Sequence, residues 1–278
     1  MRYQELRFPE LKVEYRSIAS KNEWDALMNE IAIDCERNGS LPILHLEIHG
    51  ANTKEGLVLE NREYLAYESI RPQIVRINVA SRCNLFITLA VCKGLLMTKL
   101  NRLTEPMPFC GLLGAYDTIM EDDIIIRFNE FYEELFNSFV LAEAYKRLLC
   151  VNPDMPHSYD FVHADELFCK VYQRYIEQEC KEKVVRKRAL QAAHEAGHIL
   201  PDRKARRKHQ RDYIAEEKRT RSKFFHDSVR SFFMLDLFPE NRERFDVPLD
   251  LMDLKHKANI YSINRCYLKD QIDKQNSQ

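Results

Sequence analysis

Between residues 11 and 150, short apolar runs alternate with amphipathic stretches of helical period, and this alternation confines the segment to an α/β architecture. Leu11–Ile18 alternates apolar and polar residues at period two, the pattern of a strand. Ser20 with Glu23 three residues later is a capping box, and Trp24, Leu27, Met28, Ile31 and Cys35 follow at helical spacing until Gly39 stops the helix. Pro42–His49 reads as a short strand that stops at a histidine, and Gly56–Glu60 as a brief hairpin arm. Residues 64–78 fit a helix that Pro72 should kink or split. Leu85–Val91 is a more apolar strand that stops at Cys92. Lys93–Leu103 is helical in pattern, Phe109–Tyr116 is a glycine-punctuated strand, and Asp122–Leu149 is a long amphipathic helix or helix pair. Strands alternating with helices predict a mostly parallel sheet covered on both faces. Ligands of such sheets bind beyond the carboxyl ends of the strands. His49 and Cys92 both stand at carboxyl ends, so the topology should bring them to one edge.

After Val151 the character changes. Asn152–Pro156 has the composition of a linker, residues 164–225 are helical and charge-rich, and Phe224–Phe238 is aromatic again. The expected division is therefore an α/β domain over 1–150 and a mainly helical extension over 151–278, with Phe224–Phe238 packing back onto the first domain. A net charge of -1 gives no overall pull toward nucleic acid or membrane. No apolar run approaches the ~20 residues of a membrane span, and the N-terminal residues are too charged for a secretory signal. The eight cysteines include no C-x-x-C pair, which suits reduced thiols. These features point to a cytoplasmic protein with no membrane association.

A cysteine nucleophile needs a histidine beside it and backbone N–H groups to hold an oxyanion. Cys92 would open the helix starting at Lys93, whose N-terminus favours a thiolate, and Gly50 would offer an unobstructed N–H. His45, mid-strand, and Cys83, before its strand, are poorer candidates.

The segments Ile43-Leu-His-Leu-Glu-Ile-His49-Gly50 and Leu85-Phe-Ile-Thr-Leu-Ala-Val-Cys92-Lys-Gly94 resemble those of the peptidase clan of caspases, separases and metacaspases. The histidine lies 43 residues before the cysteine, against roughly 50 in caspases. The short arm Gly56-Leu-Val-Leu59, the strand Phe109–Gly114 and Phe128-Asn-Glu-Phe131-Tyr132-Glu-Glu-Leu135 make the bacterial caspase-like branch called CHAT the nearest likeness. The resemblance implies a caspase-like sheet and a cysteine endopeptidase. Cys92 would be its nucleophile, His49 its proton carrier, and the N–H groups of Gly50 and Cys92 its oxyanion hole, with no cofactor. It also implies a latent enzyme acting on a protein substrate, released by a regulatory protein partner or signal, as in bacterial antiviral defence. Caspases and metacaspases carry a substrate-binding Gln or Asp two residues before the cysteine. Ala90 stands there in this chain, so that preference does not transfer. An acidic pocket would have to come from Asp117, Asp122 or Asp123.

A second motif competes. His194-Glu195-Ala196-Gly197-His198 is an H-E-x-x-H, which on a helix places two histidines one turn apart to share zinc, with Glu195 as general base. Glu216 or Glu217 would supply the third ligand of a metallopeptidase. Lys181–Arg211 holds eleven Lys/Arg against three acids, a face able to grip phosphates or dock a partner, although charged helices are commonly just solvated. A catalytically inactive caspase-like module binding a partner through this stretch is the third reading.

Overall fold

The computed structural model describes residues 11–51, 55–151 and 158–261. Two compact units result. Among the described residues the first comprises 11–100 and 108–163, and the second 101–107 and 164–261.

Helix α1 (Lys21–Asn38) begins and ends as its sequence requires. Ser20 Oγ accepts the Glu23 N–H at 3.3 Å, the Glu23 carboxylate accepts the Ala19 N–H at 2.7 Å, and Gly39 closes the helix at φ 70°. Its buried face carries Trp24, Met28, Ala32 and Cys35. Leu11–Ile18 forms no strand. Alternation alone does not make one, because a strand needs a ladder partner: Leu11 rests on an aromatic cluster while Tyr15 is exposed.

The chain then forms β1 (Ile43–Glu47), β2 (His49–Gly50), β3 (Gly56–Val58), β4 (Tyr64–Ala66) and α2 (Tyr67–Ala80). Helix α2 runs unbroken through Pro72. The proline removes one hydrogen bond, but Ile70, Ile74 and Ile77 bury on both sides of it and hold the helix together. The Trp24 indole N–H donates to Gln73 at 2.9 Å, joining α1 to α2.

Next come β5 (Phe86–Ala90), a 3-10 helix (Gly94–Leu100), β6 (Gly111–Ala115), α3 (Glu121–Ser138), α4 (Leu141–Cys150) and β7 (Tyr159–His163). The main sheet has the order β1-β5-β6-β7, the first three strands parallel and β7 antiparallel to β6, with helices flanking it. The sheet thus reaches His163, beyond the boundary expected near Cys150. Ile87 to Ala90 are all buried, as a central parallel strand requires. Phe139, left-handed at φ 54°, separates α3 from α4. Phe128, Phe131, Tyr132 and Phe136 of α3 then cover Ala90, Leu113, Ala115 and Tyr159.

The second unit is helical: α5 (Ala164–Glu179), α6 (Glu182–Glu195), α7 (Arg203–Phe232), α8 (Asn241–Arg244) and a last helix over 251–261. The aromatic segment packs within this unit. Phe225, Phe232 and Phe233 surround Phe168 of α5 at centroid distances of 6.5, 5.0 and 5.2 Å. Its partners are thus those of α5, where packing onto the first domain was expected. Among the described residues no helix is long and apolar enough to cross a membrane.

Candidate functional site

Strands β1 and β5 are parallel neighbours in register from Ile43↔Phe86 to Glu47↔Ala90. Two residues beyond that last pair stand His49 and Cys92. His49 does not simply end β1. The strand stops at Glu47, and after Ile48 the chain starts a separate antiparallel sheet, β2-β3-β4. That small sheet lays Gly50 directly on Cys92. A Cβ at position 50 would fall far inside contact with the Cys92 carbonyl oxygen, 3.1 Å from its carbonyl carbon and 3.2 Å from Val91 Cγ1. Only glycine allows this approach.

Cys92 occupies a tight turn. Lys93 is left-handed at φ 58°, a sparsely populated conformation for a non-glycine residue, and its N–H donates to the Asp117 carbonyl at 3.0 Å. This bond ties the end of β5 to the end of β6. The α-helix expected from Lys93 is instead a 3-10 helix of seven residues. Its buried Gly94, Met97 and Leu100 recur every three residues, the period at which 3-10 side chains eclipse. The segment after Cys92 thus brings no long α-helical N-terminus to the thiol.

Two donors at this edge lack backbone acceptors among the described residues. Ala51 N–H donates to Gly56 O at 3.1 Å, so the Ala51–Gly56 pair is hydrogen-bonded and the adjacent Gly50–Leu57 pair is not. The Gly50 N–H therefore points away from β3. Neither it nor the Cys92 N–H has a backbone acceptor among the described residues. Two such N–H groups on abutting segments are the donor set an oxyanion requires. The Cys92 thiol is half-buried, and its S–H donates to the Ile119 carbonyl at 4.0 Å. His49 is exposed, and its ring makes no hydrogen bond among the described residues. Lys99 of the 3-10 helix pairs with Glu55, whose carbonyl accepts from Tyr64 Oη at 2.9 Å, fastening the small sheet beside this turn.

Comparison with protein-family models, curated proteins and solved structures returns no match.

Other thiols and imidazoles have structural surroundings. Burial pushes the Cys35 thiol up to about 11 and the Cys169 thiol up to about 12. Cys83 is fully buried. His45 Nδ1 lies 2.8 Å from Thr88 Oγ1 and 3.2 Å from the Tyr132 hydroxyl, which themselves bond at 2.6 Å. Burial pulls its pKa down to about 4, so this imidazole is a neutral core group. Of the three acids, Asp123 is buried and paired with Arg127 at 2.6 Å, which removes it from any substrate pocket. Asp122 is exposed on the first turn of α3, and Asp117 is exposed beside the Cys92 turn. Sequence reasoning missed Tyr159, whose hydroxyl is buried without a hydrogen-bond partner among the described residues. Burial raises its pKa, with smaller effects from Asp123, Arg127 and Cys92. It lies on the antiparallel edge strand past Pro156, and no sequence signal tied it to the cysteine.

The H-E-x-x-H motif straddles a helix stop. Helix α6 ends at Glu195, Gly197 is left-handed at φ 68°, Gly197 N–H donates to His194 O at 3.0 Å, and His198 N–H donates to Ala193 O at 2.8 Å. This pair of bonds is a Schellman motif. His198 therefore lies past the helix carrying His194, and the one-turn spacing needed for shared zinc is lost. The His198 ring instead meets His209 edge-on at 6.4 Å. Glu216 and Glu217 pair with Arg219 and Arg221. Among the described residues no three His, Cys, Asp or Glu side chains gather as a metal site.

Proposed function

We propose that the first unit is a cysteine endopeptidase of caspase-like character, with Cys92 as nucleophile and His49 as proton carrier. The observation that carries this reading is the seating of Gly50 on Cys92 at the carboxyl edge of adjacent parallel strands. His49 takes the thiol proton as the sulfur adds to the peptide carbonyl. The N–H groups of Gly50 and Cys92 hold the oxyanion. The tetrahedral adduct collapses as His49 delivers that proton to the leaving amine, giving a thioester acyl-enzyme. Water, deprotonated by His49, then releases the acid and regenerates the thiol. The cycle uses no metal or organic cofactor.

The resting arrangement supports latency. The S–H donates to the Ile119 carbonyl, and His49 has no orienting partner among the described residues. Activation on this reading brings the imidazole to the sulfur through a protein partner or signal, in keeping with the defence role that the resemblance implies. Asp117, exposed beside the turn, is the acid best sited to select a basic residue at the cleavage position. The Schellman stop within residues 194–198 favours this reading over a zinc metallopeptidase.

The test is cleavage of a peptide library spanning all residues at the cleavage position, with the full chain and candidate activating proteins from its source. The proposal expects cleavage that Cys92→Ala and His49→Ala each abolish while their circular dichroism stays that of the wild type. Cleavage that survives Cys92→Ala, or that a zinc chelator removes, overturns it.

A further inference from the structure

Helix α7 treats the cations of its two halves differently. In the second half only Lys218 lacks an ion pair among the described residues, while Arg219 pairs with Glu216 at 2.7 Å, Arg221 with Glu217 at 2.9 Å, Lys223 with Asp227 at 2.6 Å and Arg230 with Asp236 at 2.5 Å. This is the solvated, ion-paired helix that a charge-rich sequence ordinarily produces. In the first half Arg203, Lys204, Arg206, Arg207, Lys208 and Arg211 are all exposed, and none pairs with a carboxylate among the described residues.

Those six cations stand at the wrong end of the helix. The N-terminus of a helix carries the positive end of its dipole and is stabilised by acids. Here the first turn holds no acid, and only the capping Asp202 offsets the charge. Folding therefore gathers like charges at an unfavourable place, and among the described residues neither Asp202 nor Asp212 forms an ion pair with any of them. His209 Nε2 meets the Ala189 carbonyl at 2.9 Å and Gln210 donates to the Arg186 carbonyl at 3.2 Å, which turns that side of α7 onto α6. Arg203, Arg207 and Arg211, at i, i+4 and i+8, share a stripe flanked by Lys204 and Lys208. The stripe is about 12 Å long, the reach of three or four phosphates along one strand of a duplex.

We infer that the stripe Arg203–Arg211 grips the phosphate backbone of a nucleic-acid duplex, independently of sequence. Four of the six cations are arginines, whose planar fork suits phosphate oxygens. Among the described residues, the exposed large apolar side chains of the α6–α7 hairpin are Leu190 and Ile199, with no aromatic. That rules against base stacking on a single strand and against the aromatic anchor of a protein interface. Among the described residues α7 carries no exposed large apolar side chain, so it offers no apolar face to enter a membrane. The inference stands apart from the His49/Cys92 reading and survives its failure.

The test is fluorescence anisotropy of a labelled 20-base-pair duplex of arbitrary sequence with the full chain. Binding should weaken about a thousandfold between 50 and 200 mM salt if all six cations engage. Arg203→Gln/Arg207→Gln/Arg211→Gln should weaken binding at least about tenfold at 50 mM salt and flatten the salt slope by roughly three phosphates. Its thermal midpoint should not fall, because the change relieves charge at the helix N-terminus. Arg219→Gln/Lys223→Gln/Arg230→Gln loses the same charge from the paired half and should bind within about twofold of wild type. No duplex binding at 50 mM salt, equal losses in both variants, or tighter association with phosphatidylserine vesicles than with the duplex would each overturn the inference.

Discussion

Acid should destabilise the first unit through one histidine. His45 sits half-buried against Phe128 and Tyr132, with Nδ1 bonded to Thr88, and burial lowers its pKa to about 4. In the unfolded chain it titrates near 6.5. The unfolded state therefore takes up this proton first as pH falls. The stabilisation is complete above about pH 6.5, declines through the window between about 6.5 and 4, and is gone below it. A gap of about 2.5 units corresponds to about 3 kcal/mol in all, of which about 2 kcal/mol disappears between pH 7.5 and 5. The assay is guanidinium unfolding of wild type and His45→Gln at pH 7.5, 6 and 5. Glutamine retains a hydrogen-bonding side chain near Thr88 but does not titrate. Carboxylates common to both proteins cancel in the difference, so wild type should lose about 2 kcal/mol more than the variant on going to pH 5. Equal losses would refute the reasoning.

Further outcomes follow from single contacts. Gly50→Ala drives a methyl group into the Cys92 carbonyl, so denaturant unfolding should show a loss of about 1–3 kcal/mol. Asp123→Ala strands the fully buried Arg127 guanidinium and should destabilise by about 3–5 kcal/mol in the same assay, whereas exposed Asp122→Ala should change stability by less than about 0.5 kcal/mol. Tyr159→Phe removes a buried hydroxyl without a hydrogen-bond partner among the described residues. It should leave stability unchanged or raise it by up to about 1 kcal/mol, and a loss above that would show a hidden partner.

Local signals in this chain were legible wherever one residue decides the backbone. Ser20, Glu23 and Gly39 bound α1, and the mainly apolar run before Cys92 became the buried central strand. The pairing of β1 with β5 followed from their alternation with helices, which brought residues 49 and 92 to one edge. All but one of the failures depended on partners distant in sequence. Leu11–Ile18 has a strand pattern but no strand to pair with. The break at Ile48 arises because the small sheet captures His49, a competition invisible in the run Ile43–His49. Tyr159–His163 joins the sheet antiparallel after a helix pair, which no period before residue 150 announces. The H-E-x-x-H pattern mistook a helix stop for a helix interior, although its glycine carried that message.

The central claim is that Cys92 is a nucleophile served by His49. The most direct measurement is alkylation of the native chain by limiting iodoacetamide near neutral pH, mapped by mass spectrometry over all eight cysteines, in wild type and His49→Ala, with and without activating partners. The account predicts that Cys92 alkylates fastest once activated and that His49→Ala slows it while the other cysteines react as before. A Cys92 no faster than half-buried Cys110 or Cys150 under every condition, or a rate indifferent to His49, would contradict it.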